Sequence, residues 1–178
     1  MLQHKSLKIN RLNSRGQSAA EFAFIIPILF IFFYAVMEFS RLFILDQRVA
    51  TLSREVANAC FQDCATKTGA NLDNCVINIV DQVRDNGNSV LADFAGQGAV
   101  IASIYVSRTN PAAVLSSAHK AGGGGYTSQA GTPSTQLVSD QGVVVIGEAF
   151  YPYNPMTPIK RLLTALELPE DLYEKTVF

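Results

Sequence analysis

The sequence predicts an α+β protein in which one long N-terminal hydrophobic helix packs on a small antiparallel β-sheet domain with short helices. Three observations lead there. An apolar run fills residues 22–37, an apolar stripe at alternating steps of three and four continues to about residue 60, and two Val/Ile-rich segments lie far downstream.

The apolar run comes first. From Phe22 to Met37 sixteen residues carry no charge. With Ala19, Ala20 and the flanking polar positions the segment covers about residues 19–40, close to the roughly 20 residues needed to cross a bilayer. Lys5, Lys8, Arg11 and Arg15 precede it, with no acid among residues 1–20. Cationic flanks stay cytoplasmic, so the expected topology is single-pass with the N-terminus inside and the remainder exported. A cleavable secretory signal has a similar opening. Against it, this core is long, contains Pro27, and ends at Val36, Met37, Glu38 and Phe39 without a small-x-small cleavage site. Pro27 cannot donate to the Ala23 carbonyl and is expected to kink the transmembrane helix.

Helical periodicity continues past the membrane. Leu42, Leu45, Val49, Leu52, Val56 and Ala59 share one face, while Arg41, Arg48 and Glu55 fall on another. One helix is therefore expected from about Ser18 to Cys60, about 60 Å at a rise of about 1.5 Å per residue. Two occupants suit its upper stripe: the chain's own soluble domain, or a sister helix in a short coiled coil.

Further on, Val76, Ile79, Val80 and Val83 mark a helix over Asn74–Arg84 that is expected to turn at Asp85-Asn86-Gly87. Ala99–Ser107 and Gly142–Phe150 read as strands. A helix over Pro158–Leu168 and a terminal strand over Leu172–Phe178 complete the set. The Gly-rich loop 121–136, AGGGGYTSQAGTPSTQ, is expected to be exposed and mobile. It does not match a phosphate-cradling loop, because no GK[ST] follows and Lys120 precedes the glycines.

Cys60, Cys64 and Cys75 all fall on the exported side, where bridges form. Cysteines four apart on one helix rarely reach disulfide geometry, so Cys75 is expected to pair with Cys60 or Cys64. Closing a loop of about 10–15 residues is worth about 3 kcal/mol in the chain-entropy account. No metal is expected, since a fourth zinc ligand is lacking and His119 is remote in sequence. No cofactor is implied either. The chain is not expected to be an enzyme: no motif joins a nucleophile to His119, and Asp63, Asp73, Asp81, Asp85 and Asp93 sit at turn-like or helix-surface positions. Setting aside the four cations Lys5, Lys8, Arg11 and Arg15 takes the net charge from −1 to −5, and an acidic remainder without basic clusters argues against nucleic acid.

The segment SRGQSAAEF resembles the processing site of type IV prepilins, specifically the class cut in tight-adherence (Flp) pilus systems. The resemblance extends through EFAFIIPILFIFFYAVMEFSRLFILDQRVATLSREVANA, which is similar to the TadE family of pseudopilins. That family carries an "EFA…LP" helix, an "EFGR" motif and a later Arg-Glu pair. Glu38, Phe39, Ser40 and Arg41 match the second motif, with serine for the usual glycine, and Arg54 and Glu55 match the third. The late GVVVIGEAFYPYNP looks like the family's closing strand.

The resemblance implies that a prepilin peptidase removes the basic leader, residues 1–16, by cutting after Gly16. Gln17 becomes the new N-terminus, Glu21 the fifth mature residue and Phe22 the sixth. Removing 16 of 178 residues leaves 162, divided into a long helix (17–60) and an exported domain (61–178). It further implies a structural pseudopilin or minor pilin required for Tad (Flp) pilus biogenesis and adhesion. Its location would be the inner membrane with a periplasmic domain, or the extracellular pilus. The implied partners are the peptidase, other pilins and pseudopilins, the inner-membrane assembly platform and the lipid bilayer. Glu21 would pair with the amine of Gln17. Residues 18–21 also fit a capping box, S-x-x-E, at a helix start. Two other classes compete: an unprocessed single-pass anchor presenting a periplasmic binding domain, and a secreted enzyme behind an ordinary signal peptide.

Overall fold

The computed structural model describes residues 14–106, 114–134, 137, 142–155 and 170–178; for residues 14–18, 114 and 115 it describes the backbone alone. Most of the basic leader and the helix expected over 158–168 lie outside the described residues. The elements are α1 (Ser14–Cys64), α2 (Ala70–Val90), α3 (Phe94–Gln97), β1 (Ala99–Val106), β2 (Val114–Ala121), β3 (Val143–Pro152) and β4 (Asp171–Val177). The chain forms two compact units that divide after Ser40.

In the first unit, every side chain from Ala19 to Met37 is exposed except the half-buried Ala35. Among the described residues nothing within this unit covers the apolar run.

In the second unit the apolar stripe is core. Leu45, Val49, Leu52, Val56, Cys60 and Cys64 are buried, with Leu42 and Ala59 at the margin. They join Leu72, Val76, Ile79, Val80 and Val83 of α2 and the near face of the sheet in a single cluster. The stripe therefore packs on its own domain, as helical steps of three and four allow.

The sheet is antiparallel throughout, in the order β2-β1-β3-β4. Its central strands β1 and β3 are covered on both faces, so they read as continuous apolar runs. Val100, Ala102, Ile104, Val145 and Ala149 face the helices, whereas Tyr105, Val144 and Ile146 form a second cluster on the opposite face. At Gly147 the backbone of α1 comes close: an added Cβ would lie 2.5 Å from the Ser53 carbonyl oxygen, 2.7 Å from Val56 and 2.8 Å from Ala57. Beside that contact the Ser53 and Thr176 hydroxyls share a 2.9 Å hydrogen bond.

Two expectations are corrected. The turn at Asp85-Asn86-Gly87 is absent, and α2 continues to Val90. Gly87 is there because the Phe94 ring lies on it: an added Cβ would meet Phe94 Cδ1 at 2.4 Å. Strand β2 has no counterpart among the expected elements. Its sequence VLSSAHKA is polar because it lies at the sheet edge, and the register with β1 slips between Ile104 and Tyr105. Residues 122–134 are largely exposed, as expected, and are hydrogen-bonded to the domain at their start. Gly123 N–H donates to the Ala95 carbonyl at 2.7 Å and Gly124 N–H to the Gly98 carbonyl at 3.3 Å. A Cβ on Gly122, whose φ is 122°, would lie 2.3 Å from the Gly98 oxygen. Here glycine serves close backbone approach in a conformation other residues avoid.

Gly147→Ala is expected to destabilise the domain by about 1–3 kcal/mol, because the Ser53 carbonyl cannot yield as a side chain would. Gly125→Ala, where an added Cβ meets nothing within 4 Å, should stay within about 0.5 kcal/mol of the parent. Urea unfolding followed by circular dichroism compares the two.

Candidate functional site

Helix α1 is described from Ser14, so Gly16, Gln17 and Ser18 lie within it. Ser18 is therefore not an N-cap residue, which removes the capping-box reading of Glu21. Glu21 and Phe22 are exposed, and Pro27 lies within the helix. Further along the same unit Glu38 is buried and Phe39 is exposed.

In the second unit, the Arg41 guanidinium donates to the Asn154 carbonyl at 3.1 Å. Arg54 is exposed, whereas its neighbour Glu55 accepts a 3.0 Å hydrogen bond from the Asn86 amide. Arg48 donates to the Val90 carbonyl at 2.5 Å, satisfying a group left open at the end of α2. These contacts are structural ties between α1 and the domain, and they do not converge on a shared cleft.

The structure bridges Cys64 to Cys75, eleven positions apart, with their Cα atoms 5.8 Å apart. The bridge ties the start of α2 to the end of α1. Cys60 is a buried free thiol whose pKa is pushed up to about 12, mainly by burial and secondarily by the charge of Asp63. A thiol held protonated is a poor nucleophile and ligand. Among the described residues no group of three or more His, Cys, Asp and Glu side chains is placed to hold a metal ion.

One arrangement went unforeseen. Glu148, in the middle of β3, is fully buried on the sheet face opposite the helices. Its carboxylate accepts hydrogen bonds from the Ser128 hydroxyl, from the Gln129 N–H at 2.7 Å and from the Tyr173 hydroxyl at 3.0 Å. Tyr126, from the same loop, stacks on Phe150 at 5.0 Å and donates to Asp171 at 2.8 Å. Lys120 donates to the carbonyls of Gly124 and Tyr126 at 2.5 and 2.9 Å. Burial raises the phenol pKa of both tyrosines, reinforced by the hydrogen bond from Tyr126 to Asp171 and from Tyr173 to Glu148. A lone acid in GVVVIGEAF was the available signal: a carboxylate inside an otherwise buried strand requires donors from elsewhere.

Among the described residues one helix is long and apolar enough to cross a membrane, and its polar-side continuation enters the core of a small α+β domain. The helix fits a single-pass membrane anchor, and the helix with its domain fits a pilin-like protein. A family model described as "TadE-like protein" matches residues 16–58, so that this region of the chain is TadE-like. No curated protein and no solved structure matches the chain.

Glu148→Ala is expected to leave the loop donors without an acceptor, at a cost of about 1–3 kcal/mol for a buried unsatisfied group. Hydrogen exchange at the Gln129 amide should quicken by about tenfold or more, while amides in α2 keep their protection. The tyrosines give a pH dependence. Their folded pKa values lie above the ordinary phenol value of about 10, so the folded chain retains protons that the unfolded chain loses. Stability from these contacts is complete below about pH 10 and falls as pH rises through the folded values. A Tyr126→Phe, Tyr173→Phe double variant should show a shallower alkaline fall in urea midpoint than the parent.

Proposed function

We propose that the chain is a structural pseudopilin, a minor pilin of a Tad (Flp) pilus system, without catalytic activity of its own. It is made as a precursor, cut after Gly16 by a prepilin peptidase, held in the inner membrane with its domain outside, and assembled through its apolar helix. One observation carries this reading. The TadE-like match begins at Gly16 itself and runs through the uncovered apolar helix into the domain core. Both lipid and a bundle of like helices would cover such a face. The partners follow: the peptidase, sister pilins and pseudopilins, the assembly platform and the bilayer.

An unprocessed anchor is favoured by one detail. The Gly16–Gln17 bond lies within α1, so a peptidase must first open that turn. The two readings differ in the chain recovered from cells. Terminal sequencing or intact mass should give Gln17 as the first residue for a pseudopilin, and Met1 for the anchor. Gly16→Leu is expected to leave the longer precursor in membranes. Normal maturation of that variant would remove the processing argument.

A further inference from the structure

The three cysteines differ in access. Cys60 and Cys64 are wholly buried, whereas Cys75 retains 9% exposure. Cys75 also lies in the wall of a cleft of about 310 Å³ formed with Lys67, Asn71, Asn74 and Asn78. The Lys67 amine donates to Cys75 Sγ at 3.2 Å, and the Lys67 N–H donates to the Cys64 carbonyl at 2.9 Å, which fixes the residue just beyond α1. Asn71, Asn74 and Asn78 recur at steps of three and four, so their exposed amides line one side of α2.

We propose that Cys75 is the entry cysteine of this chain: the sulfur at which a small thiol or disulfide of the glutathione class exchanges with the Cys64–Cys75 bridge, with Lys67 as its positioning cation. Exchange requires in-line access of a thiolate to one sulfur, and of the two bridged residues only Cys75 keeps any exposure and lines a cleft. In reduction, the incoming thiolate forms a bond to Cys75 Sγ as the Cys64–Cys75 bond breaks. The electron pair leaves on the Cys64 sulfur, which then takes a proton from water. A second thiolate attacks the mixed disulfide at its small-molecule sulfur and releases Cys75 as a thiolate, so that two thiols become one disulfide while the bridge gains two electrons. Oxidation runs in reverse. The Cys75 thiolate attacks a small disulfide and expels one thiolate, and deprotonated Cys64 then displaces the second.

In reduction the Lys67 ammonium draws the incoming thiolate to Cys75 and then stabilises the Cys75 thiolate released in the second step, and in oxidation it stabilises the Cys75 thiolate that attacks. The same ammonium suits the carboxylates of a small peptide thiol, and the three amides offer donors and acceptors to its backbone. Cys60 stays outside this chemistry, since it is buried and protonated. The proposal does not depend on processing at Gly16.

The test uses the full-length oxidised protein in detergent, exposed to reduced glutathione, quenched in acid and mapped by peptide mass spectrometry. The expected mixed disulfide lies on Cys75, exceeding that on Cys64 by about tenfold or more. In urea-unfolded protein the preference should vanish. Lys67→Met should slow adduct formation by about tenfold, and Lys67→Arg should restore most of it. An adduct on Cys64 or Cys60, equal labelling of both bridge sulfurs in the folded protein, or an unchanged rate in Lys67→Met would overturn the proposal.

Discussion

The domain depends on how closely α1 can lie on β3. At Gly147 there is no side chain, and the Ser53 to Ala57 turn fills the space that one would occupy. This approach lets Leu45, Val49, Leu52, Val56 and Cys60 reach the sheet, so that a single helix face completes the core. Interiors pack at near-crystalline density, and a methyl group at the crossing would push the helix away along its whole buried length. The bridge from Cys64 to Cys75 and the bond from Arg48 to Val90 then hold α2 against the same helix at its two ends.

The adjacent residue organises the opposite face. Successive side chains on a strand point to opposite sides, so Gly147 and Glu148 mark the two surfaces of β3 at one point. A buried carboxylate without partners would be strongly unfavourable. The donors come from a loop and from β4, which makes the loop's position a requirement of the strand's own sequence. Tyr126 on Phe150, and Phe150 on Tyr173 at 4.8 Å, extend the seal with aromatic contact. The glycines at 122–124 let the chain run tightly past Gly96 and Gly98 before reaching that seal.

Much of this was legible in the sequence, and the reasons for the rest are physical. Periodicity identified the α1 stripe and the α2 face because both are amphipathic. Val/Ile content identified β1 and β3, because central strands buried on both sides are apolar throughout. The same logic missed β2, an edge strand whose LSSAHKA composition carries no burial signal. Gly87 was misread as a turn, and the close approach at Gly122–Gly124 went unseen, for a shared cause. Composition records that glycine permits a turn or a flexible loop, but not that a Phe94 ring or a Gly98 carbonyl will occupy the space its missing side chain leaves. The Glu148 clamp joins residues 20 and 25 positions apart. No local pattern connects Ser128 or Tyr173 to a strand acid until the sheet is assembled.

The exposed run in the first unit poses a separate energetic question. Phe22, Phe24 and Phe32 are 66, 77 and 68% exposed. Covering each such side chain is worth about 1.5–3 kcal/mol, so a run of this length is stable only against lipid or other apolar helices. Glu21, at its edge, distinguishes those surroundings. Near the interface a carboxylate can reach water, but within a bundle of apolar helices it needs a cation, since a charge at mid-membrane costs about 2.5–3.5 kcal/mol on insertion scales. On the proposed route, cutting after Gly16 creates an amine at Gln17, four residues before Glu21 and hence on the same helix side. The precursor has no such amine. On that route processing would add a cation beside Glu21 at the step where the helix exchanges lipid for protein.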